Sequence, residues 1–371
     1  MPSMRRLTLK VEVVTPVHVW DGYERVYGLD VVAVDGQACV ADFERLRPDA
    51  LRGEPPAGLA EFAERVARWV REGALPCSRR VGMRAQPRVG DAVRLLPPTL
   101  VPASSLKGYL RTALLFRLLR RVAEERGSEE AAKLLRGTVN TRGDPRRAGE
   151  ALENALLRVP RLRRQGGYAD AMQSVVVSEP RASGCASSLS KLSVVEASGK
   201  AVGELVVEVL EGGSLEYEVL FPEPPPVNLA SAGGLEGELK AIAGLLASPS
   251  PEELARALEE FGSALLEHEV ERLRGARESL AKAGYDVATY LGRLEGLRGG
   301  GCAVARLGFA TGHASKTLAL LVKRLDPELY KEVADAMSRR LGRTWDELTF
   351  KLVDVGGAYL GAGWVKVCVQ A

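Results

Sequence analysis

The chain has 371 residues, which exceeds what one hydrophobic core usually serves, so its length predicts two domains. Hydrophobic residues make up 46% and charged residues 27%, and every apolar run is too short to span a bilayer. These values predict a globular, cytoplasmic protein without a membrane partner. The five cysteines stand singly without Cys-x-x-Cys spacing, which argues against a zinc ribbon or a disulfide framework and favours a reducing compartment.

The net charge of +3 conceals a segregation of charge along the chain. Residues 76–165 include 20 Lys or Arg and 8 Asp or Glu, whereas the remainder includes 31 and 40. This asymmetry predicts a basic surface that faces a polyanion, with acidic surface turned toward solvent or protein neighbours. Within the basic segment, Arg161, Arg163 and Arg164 precede Gln165-Gly166-Gly167 and form a candidate mobile basic loop.

The first 225 residues alternate strand patterns with helix patterns. In chain order they predict a strand over 7–13, a loop over 15–23, a hairpin that turns at Asp35-Gly36, a helix over 61–72, short strands at 175–177 and 192–195, and a second hairpin over 204–221 that turns at 211–214. Antiparallel pairing of these strands favours an α+β fold, a sheet with helices packed on one face.

The proline-rich run 222–226 predicts a domain boundary. We predict an N-terminal domain over 1–225, with a basic irregular insertion at about 112–170, and a C-terminal domain over 226–371. The second domain is predicted to contain helices over 251–274 and 278–297, a glycine loop and a final strand over 364–369.

The motif Pro102-Ala103-Ser104-Ser105-Leu106-Lys107-Gly108 predicts the start of a helix, with Ser104 or Ser105 as its N-cap. Lys107 and Arg111 are four residues apart, so both cations lie on one face of this helix. Hydroxyls, free backbone N–H groups and two cations around one point favour the binding of a phosphate. The alternative is a capped core helix with solvated basic residues, because caps are commoner than anion sites.

The glycine loop, residues 308–317, is a second candidate for phosphate binding and leads into a predicted helix over 318–325. Its candidate residues are Gly308, Gly312, His313, Ser315 and Lys316. The glycines allow close approach of the backbone, and Ser315 and Lys316 stand at a predicted helix N-terminus. A nucleotide-binding phosphate loop needs Gly immediately before Lys, and Ser315 holds that position, so we expect no ATPase. The alternative is a structural loop with an ordinary cap.

Three segments together resemble the RAMP superfamily of CRISPR proteins. They are the first loop, Thr15-Pro16-Val17-His18-Val19-Trp20-Asp21-Gly22, the Pro-Ala-Ser-Ser-Leu-Lys-Gly motif and the glycine loop. Further segments are similar to one branch, the fifth subunit of the type III-A Csm complex: Tyr23-Glu24, Asp42-Phe43-Glu44-Arg45-Leu46 and Gly363-Trp364-Val365-Lys366. The chain departs from the family at Trp20, which replaces a small residue, and at Glu179, where the family commonly has Asp.

The resemblance implies ferredoxin-like (RRM-type) RAMP modules, with a helical insertion in the C-terminal part. It also implies a non-catalytic crRNA-binding subunit at the 3′ end of a type III-A interference complex, which caps the backbone filament and assists 3′ maturation of the crRNA. The implied partners are crRNA, the adjacent RAMP backbone subunit, other Csm subunits and host nucleases. We expect no cofactor and no metal ion, since the sequence has no Cys or His cluster.

Aromatic residues make up only 5% of the chain, and no predicted strand carries the paired aromatics that stack bases on RRM sheets. Recognition is therefore predicted to use phosphates and sugars. The alternative function is a RAMP endoribonuclease. In that case His18 with His313 could supply acid and base for crRNA processing, or Asp21 could act in target-RNA cleavage. Against this, a lone histidine after a strand is more often structural, and Asp-Gly is above all a turn signal.

Overall fold

A computed structural model of the protein describes residues 3–52, 54–139, 149, 152, 158–160, 168–223, 249–299, 301–342 and 349–370. Strands within these residues are β1 (Ser3–Val13), β2 (Glu24–Val26), β3 (Val31–Val34), β4 (Gln37–Ala41), β5 (Cys77–Met83), β6 (Ala92–Arg94), β7 (Arg158–Pro160), β8 (Tyr168–Asp170), β9 (Val176–Val177), β10 (Arg181–Glu196), β11 (Ala201–Glu223), β12 (Ala303–Arg306), β13 (Thr349–Val355), β14 (Ala358–Gly361) and β15 (Trp364–Gln370). The α-helices are α1 (Leu59–Arg71), α2 (Ala103–Arg126), α3 (Ser128–Thr138), α4 (Pro251–Lys282), α5 (Ala288–Glu295), α6 (Ala319–Leu325) and α7 (Pro327–Leu341).

One mixed sheet of 13 strands organises the described residues, and β7 pairs with β8 separately. The main strand order is β12-β15-β1-β11-β10-β5-β4-β3. β1 pairs antiparallel with β11 on one side and with β15 on the other, and β10 is antiparallel to β11. β5 then joins β10 in parallel, which makes the sheet mixed.

Helices α2 and α4 bury their apolar sides in the same core as the central strands. Alternate β1 residues Leu7, Leu9 and Val11 are buried, as the period of a strand with one covered face requires. On the helix side, Phe261 of α4 packs against the rings of Tyr109 and Phe116 of α2, at 5.2 and 5.3 Å between ring centroids. The predicted combination of a sheet with packed helices is therefore confirmed in its coarse form, as a mixed α and β architecture.

The predicted second hairpin is wrong, because β11 runs without a turn through residues 211–214. Gly212 and Gly213 form an irregularity opposite β10, where the register shifts between Ser183 and Ser187. Gly213 has a φ of +92°, and a Cβ there would stand 2.7 Å from the backbone of Cys185. Glycine pairs occur both in tight turns and in β-bulges. Here the pair forms a bulge, because the partner strand β10 is paired with β11 on both sides of it.

Two predicted boundaries also differ. Helices α2 and α3 continue to Thr138, so residues 112–138 are regular rather than an irregular insertion. The long helix α4 ends at Lys282, beyond the predicted break at 275–277. Strands on both sides of residue 225 pair in one sheet, and residues 224–248 lie outside the described residues, so the division into two domains stays a prediction.

The expectation that the cysteines are unpaired is wrong for four of them. Cys39 of β4 is bonded to Cys77 of β5, and Cys302 before β12 is bonded to Cys368 of β15, whereas Cys185 is free. Each pair is brought together by strand pairing between distant segments, with 38 and 66 residues of separation, so motif spacing could not reveal it. No helix in the described ranges is both long and apolar enough to cross a membrane.

Candidate nucleic-acid interface

The first loop (residues 15–23) and the glycine loop, far apart in sequence, lie directly against each other. The backbone N–H of Phe309 donates to the carbonyl oxygen of His18 at 2.6 Å, and Gly308 packs on the same oxygen. A Cβ at Gly308 would stand 2.3 Å from that oxygen, and its φ of +101° also favours glycine. Glycine at position 308 therefore serves the contact with the chain's own first loop, and phosphate binding at Gly308 stays a prediction.

His18 is completely buried beneath this junction. Its Nδ1 lies 2.7 Å from the carbonyl oxygen of Glu208 on β11, and its ring meets that of Phe309 edge-on. Burial, reinforced by the charge of Arg94, lowers the pKa of His18 to about 4, although the bond to Glu208 and the charge of Asp21 raise it. The imidazole is therefore neutral near pH 7, with Nδ1 as the donor to Glu208, and joins the first loop to the sheet.

Acidification should weaken the fold through this histidine. Because the folded-state pKa is lowered from 6.5 to about 4, the unfolded chain binds a proton that the folded chain excludes, and stability falls as the pH drops from 6.5 to 4. The shift corresponds to about 3 kcal/mol across that window. His18→Asn keeps a donor for the Glu208 carbonyl but does not titrate, so urea unfolding of both proteins at pH 7 and pH 4.5 should show the steeper loss in the parent. Burial also raises the pKa of Glu208, but Glu208 is present in both proteins, so the difference between the two pH profiles reports on His18. Parallel pH profiles would contradict the prediction.

The hydroxyl of Ser315 shapes the glycine loop from inside. Its single proton lies between two acceptors of the loop, Thr311 Oγ1 at 2.9 Å and the Gly312 carbonyl oxygen at 3.1 Å, and the side chain is buried. His313 accepts hydrogen bonds on its carbonyl from the Lys316 N–H and the Thr317 hydroxyl. Ser315 was predicted to contact a phosphate, but its hydroxyl points toward the interior of the loop and not toward solvent.

Lys316 is the exposed cation of the glycine loop. Its ammonium makes no hydrogen bond or ion pair with any residue that the structure describes. Desolvation by the surrounding chain, together with the positive charge of Arg306, lowers the pKa of Lys316. A cation beside a second cation and without a paired carboxylate is a suitable contact for a phosphate.

The Ser-Ser motif begins helix α2 differently from the prediction. The helix starts at Ala103 with Pro102 as N-cap, so the prediction that Ser104 or Ser105 is the cap is wrong. The carboxylate of Glu179 accepts the Ala103 N–H at 3.1 Å, which places an anion of the chain itself at the helix N-terminus. A phosphate at this point would compete with that carboxylate.

Lys107 and Arg111 lie four residues apart on α2, as predicted, and both are half-buried. The Lys107 ammonium donates to the carbonyl oxygen of Val175 at 2.6 Å, so it is held against the segment that leads into β9. Phosphate binding by the two serines and these two cations stays a prediction.

Much of the basic segment is neutralised by ion pairs. Among the residues of this segment that the structure describes, seven arginines contact carboxylates, and five of these carboxylates lie on distant parts of the chain: Arg79–Glu208, Arg84–Glu211, Arg94–Glu24, Arg117–Glu260, Arg120–Glu124, Arg121–Glu125 and Arg136–Asp326. A charge count along the sequence cannot anticipate such pairing. The predicted basic loop of Arg161, Arg163 and Arg164 lies outside the described residues.

An aromatic and arginine cluster at the rim of the joined loops was missed by the sequence analysis. Trp20 is 36% exposed, and the Arg94 guanidinium carbon lies 4.6 Å from its ring centroid. The same guanidinium lies 5.6 Å from the ring of Phe309. One feature of the sequence could have indicated this cluster: Trp20 stands where the RAMP family, which the chain resembles, has a small residue.

The sheet with its packed helices is a fold that also occurs in a chain of a CRISPR effector complex. The structure is similar to a chain of a cryo-EM structure of a Csm–crRNA–target RNA ternary complex of a type III-A CRISPR-Cas system, with a TM-score of 0.66 and 20% identity, over 97% of this chain and 100% of that one. It is also similar to the crystal structure of T. onnurineus Csm5, with a TM-score of 0.60 and 18% identity, over 96% of this chain and 99% of that one.

The chain therefore has the fold of Csm5 along almost its whole length, and the predicted resemblance to the fifth Csm subunit is confirmed at the level of the fold. The sequence itself matches no protein-family model and no curated protein.

Proposed function

We propose that this chain is a non-catalytic crRNA-binding subunit at the 3′ end of a type III-A Csm complex, where it caps the backbone filament and assists 3′ maturation of the crRNA. The observation that carries the proposal is the similarity in fold to T. onnurineus Csm5 over nearly the full length of both chains. Its partners are crRNA, the adjacent RAMP backbone subunit, other Csm subunits and host nucleases, and its location is the cytoplasm.

The strand topology supports a ferredoxin-like RAMP module at the centre of the fold. The elements β1, α2, β10, β11, α4 and β15 follow one another in the order βαββαβ, with other segments between them. Their strands lie in the order β15-β1-β11-β10 and are antiparallel throughout. Helices α5, α6 and α7 lie between α4 and β15, which supports a helical insertion in the C-terminal part.

The contacts of the two nuclease candidates favour binding over cleavage. His18 is buried, neutral near pH 7 and hydrogen-bonded to the backbone of β11. The Asp21 carboxylate pairs with Arg25 at 2.8 Å and accepts the Tyr23 N–H at 3.1 Å, so it stabilises the turn of the first loop. Both groups are thus occupied in holding the loop that the endoribonuclease alternative would use for chemistry.

Deleting the gene from a strain that carries the type III-A locus should leave complexes whose guides have abnormal 3′ ends, because the subunit that governs maturation is absent. Sequencing of guide ends from purified complexes measures the effect. The wild-type gene should restore mature ends, and Lys316→Ala should restore them incompletely. Lys282→Ala is the matched control, since Lys282 is an exposed lysine that pairs with Glu278 on α4.

Mature guide ends in the deletion strain would contradict the proposal. Pure protein that cleaves labelled RNA, with the cleavage lost in Asp21→Ala, would favour the endoribonuclease alternative instead.

A further inference from the structure

We propose that Trp20, backed by Arg94, is a stacking platform for one base of single-stranded guide RNA. The inference rests on the proposed crRNA-binding function and adds a base contact to it. It concerns the rim of the joined loops, where the chain departs from the family that it resembles.

The Trp20 ring is held in place from two directions. Its Nε1–H donates to the carbonyl oxygen of Tyr23 at 2.9 Å, and the Arg94 guanidinium lies over the ring. Arg94 is itself fixed by Glu24, which it faces across the β2–β6 pair and to which its Nη2 donates at 2.6 Å. A ring that is already oriented loses little freedom when a second flat group stacks on it.

Exposure distinguishes Trp20 from the other tryptophans that the structure describes. Trp20 is 36% exposed, whereas Trp69 is 6% exposed and Trp364 is fully buried. Tyr23 beside it is 70% exposed. Two large aromatic side chains thus remain in contact with water on one loop, and exposed aromatic rings are the groups on which single-stranded nucleic acids stack their bases.

The charges around the ring are balanced, which favours a base over a phosphate. Arg94 pairs with Glu24, and Arg25 pairs with Asp21, so each cation has a carboxylate within 2.8 Å. A phosphate gains little from such a neutral group of charges. A nucleobase presents a flat, polarisable face, for which an indole ring stacked on a guanidinium is a suitable partner.

The platform is also joined to a phosphate-binding candidate. Arg94 lies over the Phe309 ring as well, and Phe309 belongs to the glycine loop that carries the exposed Lys316. Phe309 is bonded through its N–H to His18, two residues before Trp20. One rigid pair of loops therefore offers a cation for the RNA backbone and a ring for a base.

The test uses the full-length protein and two fluorescent single-stranded RNAs of equal length and charge, one normal and one with consecutive abasic residues. Trp20→Ala should weaken binding of the normal RNA by about tenfold to a hundredfold, the usual effect of losing one stacked base, and leave the abasic RNA unaffected. Trp20→Phe should keep most of the affinity, because it keeps a ring. A 2-aminopurine placed along the normal RNA should be quenched at one position by the wild type and not by Trp20→Ala.

Two further variants make the comparison specific. Lys316→Ala should weaken both RNAs equally and reduce the slope of log affinity against log salt by about one contact, whereas Trp20→Ala should leave the slope unchanged. Phe43→Ala removes another aromatic residue of similar exposure, 38%, and should change neither RNA affinity.

The experiment distinguishes failure of the stacking site from failure of the proposed function. A wild-type protein that binds neither RNA in a salt-dependent manner overturns the proposed function and the stacking site with it. A wild-type protein that binds RNA while Trp20→Ala matches it on both RNAs, or weakens both equally, overturns the stacking site and leaves the proposed function standing.

Discussion

Replacing Glu269 with leucine should lower the free energy of unfolding by about 3–5 kcal/mol, the usual effect of removing one member of a buried ion pair. The Glu269 carboxylate on α4 is 2% exposed. It lies 3.2 Å from a guanidinium nitrogen of Arg306 and 3.1 Å from one of Arg272, and it accepts the Tyr290 hydroxyl at 2.9 Å. Leucine would remove the negative charge that both guanidinium groups contact, within a part of the core where water cannot replace it.

A matched control lies on the same helix. Glu278 forms an exposed pair with Lys282 at 2.7 Å, and Glu278→Leu should change the unfolding free energy by less than about 0.5 kcal/mol. Chemical denaturation of the three proteins measures both effects. A loss below about 1 kcal/mol in Glu269→Leu would show that the network contributes little to the packing of α4.

Gly308→Ala should destabilise the protein by about 2–5 kcal/mol, because strain of the backbone and a steric clash act together. The residue has a φ of +101°, and the added Cβ would stand 2.3 Å from the His18 carbonyl oxygen. Relief of the clash requires the glycine loop to move away from the first loop, which should also weaken RNA binding. Thermal or urea unfolding measures the first effect and fluorescence anisotropy with single-stranded RNA the second.

Gly22→Ala separates the two causes. Gly22 lies in the first loop with a φ of +97°, and a Cβ there would meet nothing within 4 Å. Its replacement should therefore cost only the backbone strain, about 1 kcal/mol. Equal losses in the two variants would mean that the contact between the loops does not depend on Gly308.

The parts of the fold that depend on local pattern could be predicted from the sequence. Alternation in β1, the Asp35-Gly36 turn between β3 and β4, and helical periodicity in α1 each arise from neighbouring residues. Asp35 and Gly36 both have positive φ, as the Asp-Gly pair indicates for such a turn. The glycine loop, too, leads into a helix near the predicted position.

What could not be predicted depends on partners that are remote along the chain. The Gly212-Gly213 pair forms a bulge because β10 is paired with β11 on both sides of it, and the N-terminus of α2 is capped by Glu179 from another segment. The aromatic and arginine cluster likewise requires the pairing of Glu24 with Arg94 across β2 and β6. Such contacts are not encoded in local propensity, so the sequence indicated the two loops separately but not the contact between them.

The two disulfides lie toward opposite ends of the strand order. Cys302–Cys368 links the outermost strand β12 with β15, and Cys39–Cys77 links β4 with β5 next to the other edge. Strands at a sheet edge present unpaired backbone groups, and their transient opening is a common start of aggregation. Covalent links near both edges oppose that opening, and Cys302–Cys368 holds β12, the strand from which the glycine loop continues. The redox state of the surroundings thus controls how readily the strands near both edges of this sheet separate, including the strand that leads into the glycine loop.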